Sequence, residues 1–184
     1  MKTPPMLVFK GVPENHLENK LNKIKVVLKN KILVTCQCNA LVDSCKWLNT
    51  IWFRTYPFRQ IKDSILYLDK APSHMIKEVD TIFQNKNSEF SLIPPGLTSV
   101  CQPLDLCINK PFKDSLRAKY REFYVTWKNI KKPTPEHILK WIWEIWWSNI
   151  ISEETIKTSF KKGGIILNLD VLKIIILYGL NNQI

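Results

Sequence analysis

"SILYLD" (64–69) is an apolar run that ends on a carboxylate, and "KAPSH" (70–74) follows it. Ile65, Leu66 and Leu68 read as a buried strand, with Asp69 where the strand should stop and Pro72 where a new helix begins. An acid in that place has two readings, a polar cap between strand and helix or one ligand of a metal site. The stretch alone does not decide between them. Immediately downstream, "SHMIKEVDTIFQN" (73–85) has helical spacing with Ser73 as N-cap, and "EFSLIPPG" (89–96) is a strand that must stop at its two prolines.

The same pattern extends outward. "PPMLVFKG" (4–11) reads as a short strand closed by Gly11, and "KILVTCQC" (31–38) as another. Residues 13–31 are polar and lysine-rich without a clean period, which predicts a loop. Leu41, Cys45, Leu48 and Trp52 recur at helical spacing. "PLDLCINKPFKDSLRAKYREFYVTW" (103–127) turns helical, with Pro111 in its first turn. Its apolar stripe is Phe112, Leu116, Tyr120, Phe123 and Trp127, with Lys113, Arg117, Lys119 and Arg121 placed opposite. Beyond the linker "KKPTP" (131–135), Ile138, Trp141, Ile142, Ile145 and Trp146 form a bulky helix whose tryptophans suit core packing better than base stacking. A last helix over 152–162 carries an imperfect capping box, Ser152 with Thr155 in the usual Glu position. Strands alternating with helices, then helices alone, indicate an α/β domain with C-terminal helices.

Composition narrows the function classes. The 184 residues suit one globular domain, and 45% hydrophobic with 11% aromatic content excludes a disordered chain. A formal charge of +11 fits a polyanionic partner, nucleic acid ahead of a membrane surface, although drift toward Lys-, Ile- and Asn-rich coding gives the same balance. The five cysteines include no C-x-x-C pair, so zinc is not indicated, and Cys36 and Cys38 fall on one face of a strand. Prolines break "MKTPPMLVFKG" too early for a signal peptide, so reduced thiols and an intracellular place are the expectation. The apolar run 165–180 is interrupted by Asp170 and Lys173 and is shorter than a membrane span, so no membrane partner is expected.

The second strand-end acid is Asp105, with 35 residues between it and Asp69. Two such oxygen ligands can hold Mg²⁺ or Mn²⁺ for displacement at phosphorus. Here the wording of the sequence adds weight. "LYLDKAPSH" and "SLIPPGLTSVCQPLDLCINKPFKDSLRAKY", with "PPMLVFKG", "CKWLNTIW" and "ISEETIKTSFKKGGI", resemble the DDE-superfamily transposase domain in its pogo, Tigger, Jerky and centromere-protein-B branch. The likeness runs from residue 3 to about residue 170. It implies an RNase H-like fold, a nuclear protein, DNA as partner, and cut-and-paste transposition with two divalent ions, Mg²⁺ or Mn²⁺. By the same resemblance Asp69 matches the second catalytic acid and Asp105 the third. His74 and Gln102 shape the loops around them. From their charge alone, Lys113, Arg117, Lys119 and Arg121 either contact DNA phosphates or form an ordinary solvated helix face, and a homo-oligomer stays open.

The resemblance also has gaps. The family's first acid lies on a strand upstream of "PPMLVFKG", whereas no Asp or Glu here precedes Glu14, and neither Glu14 nor Asp43 sits in a matching strand. The expectation is therefore an RNase H-like domain lacking its first two strands over 1–130, a helical extension over 131–170 and a non-family tail over 171–184. Such a domain would leave "PMLVF" without its neighbour and "SILYL" open along one edge. With two of three acids the chain would be catalytically inactive. A non-enzymatic DNA-binding or protein-interaction module and a functionless transposon remnant are the alternatives. Gly163 is a further departure, standing where the family has Cys.

Overall fold

The computed structural model describes residues 4–12, 16–28, 31–38, 48, 65–69, 77–85, 89–126 and 132–165. They belong to two compact units, one made of Pro4–Ala40 and Cys107–Ile156, the other of Met1–Thr3, Leu41–Leu106 and Lys157–Ile184. The helix read over 41–52, the loop containing His74 and the run 165–180 lie, apart from Leu48 and Ile165, outside the described residues.

In the first unit, β1 (Met6–Lys10) and β2 (Leu33–Gln37) pair in parallel, from Met6 opposite Leu33 to Lys10 opposite Gln37. The "PMLVF" strand is thus paired with the second strand read from the sequence. Parallel strands need a crossover, and α1 (His16–Val27) supplies it where the sequence predicted a loop. Three lysines and two asparagines hide the period from view, but Leu17, Leu21, Ile24 and Leu28 recur at helical spacing and Leu21 is fully buried. Cys36 is buried as predicted; β2 ends at Gln37, so Cys38 turns out to solvent and does not share its face.

The rest of this unit is helical. Helices α4 (Asn109–Thr126) and α5 (Pro135–Trp147) join through an aromatic seam. Ring centroids of Phe112 and Trp146 lie 6.5 Å apart, Phe123 and Trp141 5.7 Å, and Tyr120 and Trp141 5.3 Å, all edge-on. Leu139, Ile142, Ile145 and Trp146 of α5 are buried, so these tryptophans pack as core, as their spacing predicts. Thr134 and His137 close a capping box around Pro135 at the start of α5. Trp147 Nε1 donates to the Lys31 carbonyl at 2.9 Å, while the Lys31 ammonium sits 5.2 Å from the same ring's centroid.

The second unit is built on β3 (Ile65–Asp69) and β4 (Glu89–Ile93), parallel, with Ile65 opposite Glu89 and Asp69 opposite Ile93. Helix α2 (Lys77–Asn85) lies between them in the chain; its Val79 and Phe83 are buried, and the Phe83 ring meets Phe90 at a tilt of 46° with centroids 4.8 Å apart. Leu66 and Leu68 are buried as predicted, but Ile65 is 40% exposed. The period of two puts Ile65, Tyr67 and Asp69 on the other face, where Phe160 of α6 (Glu153–Lys162) meets Tyr67 edge-on at 6.4 Å. Among the described residues the strands form two parallel pairs, so β3 is paired along one edge. At the start of α6 the Thr155 amide donates to Ser152 Oγ at 3.0 Å and the two hydroxyls meet at 2.9 Å, which supplies the Ser152 half of a capping box.

Candidate metal and nucleic-acid site

Asp69 is the last residue of β3 and faces Ile93, the last of β4, across the ladder. Both strands release the chain at this one end, the end at which open parallel sheets carry their ligand-binding loops. From Ile93 the chain enters the Pro94–Pro95–Gly96 turn, closed by the Leu97 amide on the Pro94 carbonyl at 3.2 Å, with Gly96 at φ +80°. That left-handed backbone suits glycine. A short helix, α3 (Thr98–Cys101), and a π-helical turn over Leu104–Ile108 follow.

Asp105 sits in the first turn of the π segment and is exposed, while Asp69 is half-buried. Gln102 acts through its main chain: its carbonyl accepts from the amides of Asp105 (3.1 Å) and Leu106 (3.3 Å), and its own amide donates to Thr98 (3.0 Å). Pro111 offers a reason for the widened turn. It has no N–H for the Cys107 carbonyl and its ring crowds that oxygen, which looser winding relieves. The sequence located Asp105 but gave no sign of π winding; the spacing of Pro103 and Pro111 is the signal that could have suggested it.

The donor set of Asp69 and Asp105 is two hard carboxylates. Mg²⁺ and its congeners are held by one or two carboxylates while keeping several waters, so the pair is chemically suited to one divalent ion. Among the described residues no group of three His, Cys, Asp or Glu side chains gathers to hold a metal.

The four cations singled out in the sequence do not act as one set. At about 100° per residue, Lys113, Arg117 and Arg121 line one side of α4 and Lys119 points to the far side. Lys119 Nζ is bound to Glu144 of α5 at 2.8 Å, and that hydrogen bond raises its pKa above the usual lysine value. The pair links α4 to α5 and is itself exposed, which sets Lys119 apart from the other three cations. Arg117 meets Asp114 at 2.8 Å one turn away, an exposed pair that stabilises little and is readily exchanged for another anion. Lys110, which the sequence reading passed over, extends the Lys113 side by one turn and is exposed.

Comparison with known proteins decides the family. The profile of the DDE superfamily endonuclease family matches residues 1–160. The chain belongs to this family. It is 34% identical to a mouse protein, "Pogo transposable element with KRAB domain", and 33% identical to its human counterpart, each over 131 residues or 67% of the chain. The chain spans about a fifth of the length of these relatives (21%). No solved structure matches. DDE superfamily endonucleases depend on divalent metals. The mixed strand-and-helix fold is compatible with an α/β domain of this family. Among the described residues no helix is long and apolar enough to cross a membrane.

Proposed function

We propose that this chain is the metal-binding, DNA-engaging part of a pogo-type DDE transposase domain, with an RNase H-like arrangement and a nuclear site of action. In this reading Asp69 and Asp105 hold one Mg²⁺ or Mn²⁺. The observation that supports it most directly is that Asp69 ends β3 opposite Ile93, the residue from which β4 leaves the sheet toward the turn, short helix and π segment that carry Asp105. A bound divalent ion would supply electrostatic stabilisation of a phosphodiester undergoing displacement. The residues' own contribution is positional: the ladder fixes Asp69, and the doubly accepting Gln102 carbonyl fixes the backbone of Asp105. Lys113, Arg117 and Arg121 hold phosphates without reading sequence.

The 184-residue chain is proposed to bind DNA without cutting it, because only Asp69 and Asp105 are matched to the family's acids and a two-metal centre calls for more than two such ligands. Calorimetric titration with Mn²⁺ should show one equivalent bound, lost in Asp69→Asn and in Asp105→Asn. Unchanged binding in either variant refutes the ligand assignment. Supercoiled plasmid incubated with the chain and Mn²⁺ should stay closed; nicking that Asp69→Ala abolishes would establish an active enzyme instead.

A further inference from the structure

The far side of α4 from Lys119 holds more than the three proposed phosphate contacts. Lys110, Lys113, Arg117, Arg121 and Tyr124 fall at spacings of three, four, four and three, which confines them to an arc of about 80° over roughly 21 Å of helix. The four cations and Tyr124 are all exposed, Tyr124 at 49%. Asp114, paired with Arg117, is the one acid bordering this stripe on its own helix. Among the described residues no ion pair engages Lys110, Lys113 or Arg121. Phe123, next to Tyr124, is buried and meets its ring edge-on at 5.8 Å, so the Tyr124 ring has a fixed neighbour while about half of the residue is exposed.

We propose that this stripe is a track for single-stranded DNA, in which Lys110, Lys113, Arg117 and Arg121 follow one phosphate backbone and the Tyr124 ring stacks on an unpaired base. A single narrow row of cations follows one phosphate backbone, which a single strand and either strand of a duplex both offer, so the choice between them falls to the ring at the end of the row. The faces of paired bases are covered by their neighbours, so a ring at the end of the row has nothing to stack on in a duplex. Alternating positive charge with an aromatic platform is the chemistry by which proteins hold single strands without reading sequence. The inference rests on the DNA-engaging reading above and names the form of DNA that this face takes.

The test is fluorescence anisotropy of the 184-residue chain with a labelled oligo-dT and with a duplex of equal length, in EDTA and across a salt series. Oligo-dT should bind more tightly than duplex. Tyr124→Ala should weaken oligo-dT binding by about 5- to 150-fold with its salt slope unchanged, and Tyr124→Phe should retain it. A Lys113→Gln/Arg121→Gln double variant should lower the oligo-dT salt slope by about 1.4. Duplex bound as well as oligo-dT, or Tyr124→Ala indistinguishable from wild type, overturns the single-strand track and leaves the DNA-engaging reading standing. Failure to bind either nucleic acid overturns both. Working in EDTA keeps the outcome independent of the Asp69–Asp105 metal site.

Discussion

Gly163→Ala is the most informative single change outside the acids. A Cβ built at Gly163 would lie 2.6 Å from the Cys101 carbonyl oxygen and 3.4 Å from both the Cys101 carbonyl carbon and Leu106 Cδ1. Ordinary contact begins near 3.4 Å, so the two backbones must part by 3.4 − 2.6 = 0.8 Å. The Cys101 side cannot yield cheaply, because its amide is bound to Leu97 at 2.8 Å and the next amide to Thr98 at 3.0 Å. Overpacking of this kind costs about 1–3 kcal/mol. A loss of unfolded-state freedom returns roughly 0.4–1 kcal/mol, so a net destabilisation of about 1–2 kcal/mol is expected. The melting temperature should fall by roughly 2–8 °C. Hydrogen exchange should quicken at residues 98–106, and Mn²⁺ affinity should drop, because the same segment sets the backbone of Asp105. Gly164→Ala is the control: φ is +67° with no atom within 4 Å, so it strains only its own backbone and should leave exchange at 98–106 unchanged. If Gly163→Ala stabilises the chain and leaves that exchange untouched, the close-approach argument is wrong.

Three further outcomes follow from the packing. Glu136 hydrogen-bonds Lys20 and Thr134, which lowers its pKa from 4.5 to about 2. The sign is that of a depressed carboxylate: its stabilisation is present above pH 4.5 and lost as pH falls through about 2. With the Lys20 end solvated it contributes about 1 kcal/mol, and Glu136→Gln should flatten urea-measured stability across that window. Leu139→Ala, at a fully buried site on α5, should cost about 2–5 kcal/mol in urea unfolding; a loss under 1 kcal/mol would show that the α5 core is loosely packed. Ser152→Ala removes the Oγ acceptor of the Thr155 amide and should cost about 0.5–2 kcal/mol, with faster exchange confined to the first turn of α6.

Much of the candidate site was legible because it is local chemistry. A strand ending on Asp69, two prolines ending another, and the Gln102–Pro103 turn before Asp105 are each written in a few consecutive residues. What was misread depends on partners distant in sequence. Residues 16–27 look like a lysine-rich loop until β1 and β2 pair in parallel and require a crossover, at which point Leu21 is buried and the helix is stabilised by packing that no propensity reports. Gly163 looks like a decayed Cys until the Cys101 carbonyl is found against it.

The sequence by itself determined the family and the alternation of strand and helix, since motif and side-chain period are properties of neighbouring residues. Tertiary structure decided which cations are tied to another helix. Lys119 and Lys113 are equivalent to a reader of the chain, yet one is tied to Glu144, 25 residues away, and the other stays exposed on the opposite side of α4. An ion pair forms where folding brings two charges within reach, and only the packing of α4 on α5 does that.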